Sequence, residues 1–375
     1  MLDKGFVKNG DDRIGGRSMT SNNVATRGHP MLPASAQDVV EFSAKIAPQL
    51  LCIIDAEEEF DWSQPFSSRN DSVKAMGSQS KAQEVFAKFN LVPTYAVDYP
   101  VAVQEDGYLP LREFIQDGKC EVGAQLHPWV TPPVEETVSE INSFTANLPE
   151  DLQRRKIASL TSMIVTNLGT APKLFRTGRY GAGRKTVGLL QEFGYEIDCS
   201  VLPGPPITPH SPDYSNATPA PYWLGSEPRI LEIPVTAGAV GPLRRYPSAA
   251  DRAFTSTVSQ ALKVPAILAG FGLLNRVRLS PEGNTLEEAK ALTRTLLREG
   301  QRIFAMSYHS PSLVPGKTPY TRSARDVEQF LAWIEGFLEF FAGEIGGVPS
   351  TPVNIRTLAL AQQRLTGQNL AETRG

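Results

Sequence analysis

The sequence predicts an α/β protein with a mostly parallel sheet that is either open or closed into a barrel. About seven short apolar runs alternate with segments of helical periodicity, and this alternation is typical of parallel α/β folds. Several of the apolar runs end in a carboxylate, a histidine or an arginine. Parallel folds build their sites at the carboxyl ends of their strands, so the same runs also indicate where chemistry is expected.

The first predicted strand is the apolar run 50–54, which leads directly into the acidic segment 55–62. An unbroken apolar run indicates a strand that is buried on both faces. The other predicted strands cover residues 93–98, 120–127, 173–176, 196–201, 229–235 and 302–309.

Amphipathic spacing and capping residues predict the helices. They cover residues 79–90, 109–117, 149–168, 184–193, 285–299 and 323–345, with a weaker helical pattern over 249–275. The stretch 203–228 is dense in proline and is predicted to be a long ordered loop or an insertion. We expect a disordered leader at residues 1–36, a single catalytic domain at 37–365 and a frayed tail at 366–375.

The composition of the 375-residue chain excludes several classes of protein. Its 41% hydrophobic and 21% charged residues are normal for a globular protein, and a net charge of -3 gives no sign of nucleic-acid binding. There is no apolar run of about 18 residues and no signal-peptide core, so we expect no membrane span and a cytoplasmic location. The three cysteines lie in or beside predicted strands, which favours reduced core thiols. Neither a dinucleotide-binding nor a P-loop motif is present.

Four strand ends carry the side chains that point to a site. They supply Asp55 and Glu57, then His127, Arg176 and His309. Each side chain alone has an ordinary structural interpretation, such as a solvated acidic loop or a hydrogen-bonded core histidine. In a parallel barrel, however, these ends meet on one face, and acids, histidines and an arginine together indicate an acid–base or metal site.

Four segments in this order resemble the NodB-homology polysaccharide deacetylases, carbohydrate esterase family four. They read IIDAEEEFDW, EVGAQLHPWVTPP, LFRTGRYGAG and SYHSPSLVPGKTPY. The resemblance is greatest to the WalW-like branch of bacterial polysaccharide-biosynthesis proteins, and it covers roughly residues 49–347. It implies a distorted (β/α)7 barrel of the glycoside hydrolase/deacetylase type. It also implies divalent-metal-dependent removal of N- or O-acetyl groups from an acetylated carbohydrate.

The resemblance also implies roles for the strand-end residues. Asp55 matches the general base, and Arg176 matches the arginine that holds the catalytic acid residue in place. His309 matches the general acid, while Glu57 and His127 match metal ligands, with zinc as the expected ion. These roles suit amide hydrolysis, because a cation activates water, a carboxylate takes its proton and a histidine protonates the departing amine. The expected substrate-binding residues are Gln125, Trp129, Arg179 and Tyr180.

The second segment departs from the family pattern, which usually supplies two metal-binding histidines four residues apart. Gln125 stands at the first of these positions, and no histidine follows His127 at the required distance. Glutamine is a poor zinc ligand, so the site is expected to add another carboxylate such as Glu59 or Asp61, to hold a harder cation, or to hold no metal.

Three functions follow from these alternatives. The first is a deacetylase-like hydrolase of acetylated sugars. The second is a metal-free, catalytically silent barrel that binds a sugar or a partner in polysaccharide biosynthesis. The third is a metal-dependent hydrolase of a small non-sugar amide. For Trp129, the sequence is consistent with both an apolar platform for a sugar ring and a packing role.

Overall fold

A computed structural model describes residues 30–245, 264, 268 and 273–372 of the chain. The strands are β1 Gln49–Ala56, β2 Thr94–Val97, β3 Glu121–Leu126, β4 Leu174–Thr177, β5 Ile197–Asp198, β6 Tyr222–Leu224, β7 Ile230–Glu232, β8 Ala237–Val240, β9 Asn275–Arg278, β10 Ile303–His309 and β11 Val348–Pro349. The helices are α1 Ser80–Lys88, α2 Tyr99–Val103, α3 Glu105–Gln116, α4 Glu150–Leu168, α5 Arg184–Glu192, α6 Leu286–Arg298, α7 Ala324–Gly343 and α8 Pro352–Glu372.

The main sheet is parallel and curled. Its strand order is β10-β1-β2-β3-β4-β5-β7-β6, with β11 paired to β1 outside this path. All pairs from β10 to β7 are parallel, and only β6 runs antiparallel at the edge. The predicted α/β fold with a distorted (β/α) barrel is therefore confirmed.

Strands β7 and β10 do not pair with each other. A few hydrogen bonds of residues 236, 279, 305 and 307 close the barrel on this side, and we call this set of hydrogen bonds the seam. The Leu279 N–H donates to the Thr236 carbonyl at 2.8 Å, and the Ser307 N–H donates to the Leu279 carbonyl at 3.1 Å. The Ala305 N–H donates to Thr236 Oγ1 at 2.8 Å. The seam thus ties the ends of the β8–β9 hairpin to the last barrel strand.

Alternate residues along each strand pack into two separate cores. Leu51 and Ile53 of β1 belong to an inner cluster with Ile303 and Ala305 of β10, whereas the residues between them pack outward against the helices. Strand residues two apart share a face, so Asp55 continues the inner row on β1. The same rule places the side chains of residues 125, 176 and 309 inside the barrel, at its carboxyl end.

The predicted helices are present with small shifts at their ends. The capping box of Thr285 with Glu288 begins α6, and that of Ser323 with Asp326 begins α7. Gly169 ends α4 with a left-handed φ of 70°. Strands β6, β8, β9 and β11 and helix α2 are too short for periodicity to predict, since the strands have two to four residues and α2 has five.

Two predictions concern residues that the structure leaves largely undescribed. Most of the weak helical pattern at 249–275 lies outside the described residues, as do residues 1–29 of the predicted leader. Nearby, Met31 is buried and its carbonyl accepts a hydrogen bond from the Tyr222 hydroxyl at 2.7 Å. Among the described helices, none combines the length and the apolar character needed to cross a membrane.

Candidate active site

Asp55 and Arg176 form a buried, two-point ion pair inside the barrel mouth. Arg176 Nε lies 2.7 Å from Asp55 Oδ1, and Nη2 donates to Oδ2 at 3.1 Å. The remaining Nη1 donates to the Cys199 carbonyl at 2.9 Å, which fixes the guanidinium against β5. Such a fork holds a carboxylate in one orientation. Asp55 is therefore an oriented carboxylate, as a general base must be.

His309 faces Asp55 and is held from behind by Glu282. Its Nε2 lies 3.6 Å from Asp55 Oδ2, while its Nδ1 lies 2.7 Å from Glu282 Oε2. The His309 backbone N–H and the Ser312 hydroxyl both donate to Glu282 Oε1, at 3.0 and 2.6 Å. Burial lowers the pKa of His309, but the charges of Glu282, Glu57 and Asp55 outweigh it and raise the pKa to about 10. His309 is thus a charged proton donor at neutral pH.

Beside this pair, Glu57, Gln125 and His127 direct three side-chain atoms at one another. Gln125 Nε2 lies 3.1 Å from both Glu57 Oε2 and His127 Nε2, which are 3.5 Å apart. Gln125 Oε1 is buried and has no hydrogen-bond partner among the described residues. Burial raises the pKa of Glu57 to about 8. Rotating the amide by half a turn points its oxygen at the other two atoms.

This triangle fits a divalent metal better than the other acidic groups do. The described residues contain two groups of potential ligands: Asp55, Glu57 and His309, and Glu58, Asp98 and His127. In the first, Arg176 already binds Asp55, and in the second, Trp129 already donates to Glu58. The triangle's edges of 3.1–3.5 Å resemble the roughly 3.3 Å between donors around zinc at about 2.0–2.1 Å.

Glu58 determines which nitrogen of His127 faces the triangle. Glu58 Oε2 lies 2.8 Å from His127 Nδ1, and Oε1 accepts from the Trp129 indole N–H at 2.7 Å. The Glu58 N–H in turn donates to Asp98 Oδ2 at 2.7 Å. A carboxylate at Nδ1 stabilises the tautomer with the proton there, which leaves the Nε2 lone pair pointing at Glu57.

The loop that follows His127 is held by a buried lysine of α4. Lys156 Nζ donates to the carbonyls of Pro128 and Thr131 at 2.8 and 2.7 Å, and it pairs with Glu136 at 3.0 Å. Burial lowers the pKa of Lys156, and Glu136 opposes that effect. Lys156 therefore clamps this loop in place.

The loop after Arg176 packs directly against His127. A Cβ on Gly178 would lie 2.2 Å from His127 Cδ2, so only glycine fits there. The next two residues, Arg179 and Tyr180, both have a left-handed φ of 55°, which costs free energy and is found most often at functional sites.

Arg179 and Tyr180 are half-buried, as His309 is, whereas Asp55 and Arg176 are buried. The Arg179 guanidinium lies over the rings of Phe66 and Phe144, at 4.9 and 4.4 Å from their centroids. The Tyr180 hydroxyl accepts from Arg278 Nη1 at 2.7 Å. Both side chains are fixed at the rim of the mouth.

Three residues considered from the sequence lie away from where their suggested roles need them. Trp129 is buried and stacks on His127 at 4.3 Å between ring centroids, which fits its packing interpretation and leaves no face for a sugar. Glu59 pairs with Lys317 at 2.6 Å, and exposed Asp61 accepts from Ser63. Neither acid reaches the Glu57–Gln125–His127 triangle.

Sequence reasoning missed Glu58, Asp98 and Glu282. Asp98 ends a predicted strand and lies in the inner row, so strand parity could have found it. Glu58 follows Glu57 just beyond the end of β1, where alternation no longer applies. Glu282 follows the polar strand β9, and no apolar run marks its position.

No family model and no curated protein matches the chain. Among solved structures, a Mycobacterium smegmatis protein assigned as a polysaccharide deacetylase is 16% identical, with a TM-score of 0.50, over 89% of this chain and 96% of that one. Puue allantoinase is 14% identical, with a TM-score of 0.49, over 87% and 98%. The Bacillus anthracis CE4 family pseudoenzyme BA3943 is 11% identical, with a TM-score of 0.37, over 83% and 66%. At low sequence identity, the chain shares the curled (β/α) barrel fold of the Mycobacterium smegmatis protein.

Proposed function

We propose that this protein is a metal-dependent hydrolase that removes acetyl groups from an acetylated sugar or polysaccharide. One observation carries the proposal: an arginine-bound carboxylate and a charged histidine face each other at 3.6 Å inside the barrel mouth. The four matching segments support a place in the WalW-like branch of the polysaccharide deacetylases. The cytoplasmic location and the absence of nucleic-acid binding stay predictions from composition.

Asp55 acts as the general base. Its buried carboxylate is held in one orientation by Arg176, and it takes the proton from the attacking water.

His309 acts as the general acid. Glu282 binds Nδ1, so the proton available for transfer sits on Nε2, the atom that faces Asp55. From there it can protonate the departing amine of an N-acetyl group or the departing alkoxide of an O-acetyl group.

Glu57 and His127, with the Gln125 oxygen, would hold the metal ion. A bound divalent cation lowers the pKa of its water toward about 7 and polarises the acetyl carbonyl. Glu58 orients the His127 ring for this purpose. Zinc is the predicted ion, and an oxygen from Gln125 as the third donor also suits a harder cation such as Mn²⁺.

The experiment combines metal binding with acetate release. Metal content and affinity are measured for the purified protein and for His127→Ala, and acetate release is measured on a panel of acetylated sugars and small amides. We expect near one ion per chain, weaker binding in His127→Ala, and hydrolysis of sugars that falls at least 100-fold in Asp55→Asn and His309→Ala. Unchanged hydrolysis in both variants would refute the mechanism, and a preference for small amides would replace the substrate class.

One observation favours a second function, a metal-free barrel that binds without turnover. The Gln125 amide is within hydrogen-bond distance of both Glu57 and His127, so the three side chains are joined without an ion. Absence of metal binding at millimolar concentrations, together with no acetate release from any substrate, would establish this function instead.

A further inference from the structure

Trp62 is an exposed aromatic ring at the rim of the candidate active site. Its exposed fraction is 42%, whereas the other three tryptophans of the chain are buried, at 9% or less. From its position we infer that Trp62 is the platform on which a sugar ring of the substrate stacks. This inference rests on the proposed function, and it identifies Trp62 as the residue that makes the hydrolase specific for carbohydrates.

The first argument is distance from the reacting groups. The ring centroids of Trp62 and His309 are 6.1 Å apart, at an interplanar angle of 62°. A leaving group that receives its proton from His309 therefore lies beside the indole. Single exposed hydrophobic side chains are common on protein surfaces, so the position of Trp62 beside His309 carries this argument, and its exposure alone does not.

The second argument is that the ring is held in place without a ligand. Phe60 meets Trp62 edge to face at 5.0 Å and 85°, and Phe60 itself stacks on Phe66 at 5.1 Å. The two residues that flank Trp62 in the sequence are also bonded to each other. Asp61 Oδ1 accepts from the Ser63 hydroxyl at 2.7 Å and from the Ser63 N–H at 2.9 Å, which fixes the turn that carries Trp62. A fixed side chain loses little conformational entropy when a ligand binds.

The third argument is chemical. One face of a pyranose ring is lined by C–H groups, which pack on the apolar face of an indole while the hydroxyls remain in water. A small amide has no such ring and gains little from the contact. Trp62 therefore favours an acetylated sugar unit over a small amide at the same catalytic centre.

The test uses the full chain, a tetramer of N-acetylglucosamine as the probe, and tryptophan fluorescence. Because Trp62 is the exposed tryptophan, the tetramer should shift the emission to shorter wavelength and protect it from iodide quenching. Trp62→Phe should lack the shift. Trp62→Ala should raise the Kd for the tetramer about 10-fold. It should also raise the KM for acetate release about 10-fold and leave kcat unchanged.

Leu109→Ala is the matched control, since Leu109 is 44% exposed on α3 and belongs to no part of the site. It should leave the Kd and KM unchanged. An equal Kd in wild type and Trp62→Ala, or no emission shift with the tetramer, would overturn the platform without touching the hydrolytic mechanism. Binding that depends on Trp62 but releases no acetate would support the platform and overturn the proposed hydrolase.

Discussion

Replacing Glu282 with glutamine tests the electrostatics of the candidate general acid. Glutamine keeps the size of the side chain and an oxygen for the His309 Nδ1–H, but it removes the charge 2.7 Å away. The neighbouring carboxylates hold the His309 pKa at about 10 against a reference value of 6.5. At 1.36 kcal/mol per pKa unit, that difference is on the order of 5 kcal/mol. Two charges about 4 Å apart at an effective dielectric of 20 interact by about 4 kcal/mol, which is comparable.

The direction of the pH dependence follows from the raised pKa of His309. The stabilisation of the folded protein by charged His309 is fully present below pH 6.5, and it is lost as the pH rises from 6.5 toward about 10. Without the Glu282 charge, the His309 pKa should fall by about 2–3 units, because Asp55 and Glu57 remain. The alkaline limb of kcat should move down by the same amount.

Both quantities can be measured directly. NMR titration of the His309 ring gives the pKa, and the pH profile of acetate release gives the alkaline limb. Glu287→Gln is the charge control, since Glu287 is exposed on α6 and pairs only with Lys290 among the described residues. A His309 pKa that stays near 10 in Glu282→Gln would refute the reasoning.

Two further predictions concern the packing of the same site. Gly178→Ala should weaken metal binding, measured by calorimetry, at least 10-fold, because the added Cβ would displace the His127 ring. The control is Gly188→Ala on α5, which adds a Cβ in open space and should leave the metal affinity unchanged. Equal affinities in the two variants would contradict the close packing. Arg176→Met should lower the free energy of unfolding in urea by about 3–5 kcal/mol at pH 7, because Asp55 stays buried without its partner. If Asp55→Asn restores none of that stability to Arg176→Met, the loss does not arise from the unpaired charge.

Much of the fold and half of the candidate site follow from the sequence through one rule. Inward-facing positions alternate along a buried strand, so the strand ends at Asp55, Arg176 and His309 point to one mouth. The rule works because these strands are apolar runs with recognisable ends. It also explains why the close pairing of Asp55 with Arg176, which the family resemblance implied, is geometrically possible.

The rest depends on contacts that no local pattern contains. Glu58 and Glu57 both enter the site because the chain leaves β1 at Ala56 and alternation stops there. Trp129 is buried because the rings of Phe60 and Phe66, distant in sequence, cover it at 6.1 and 4.8 Å. Glu282 contacts His309 although the two residues are 27 positions apart in the sequence. The residues around Glu282 in the sequence form no apolar run that would indicate its burial. These are tertiary effects, and single-sequence periodicity does not predict them.

The seam has a consequence for the order in which the protein assembles. The proposed base, its arginine and the proposed metal donors all come from residues 55–176, whereas the proposed acid and its carboxylate come from residues 282–309. Glu282 lies close in sequence to the seam residue Leu279, whose backbone is hydrogen-bonded to both Thr236 and Ser307. Non-local pairings of this kind form late, and chains emerge from synthesis amino end first. Under the proposed mechanism, a nascent chain would therefore hold the proton acceptor before it holds the proton donor, and it would stay inert until the barrel is complete.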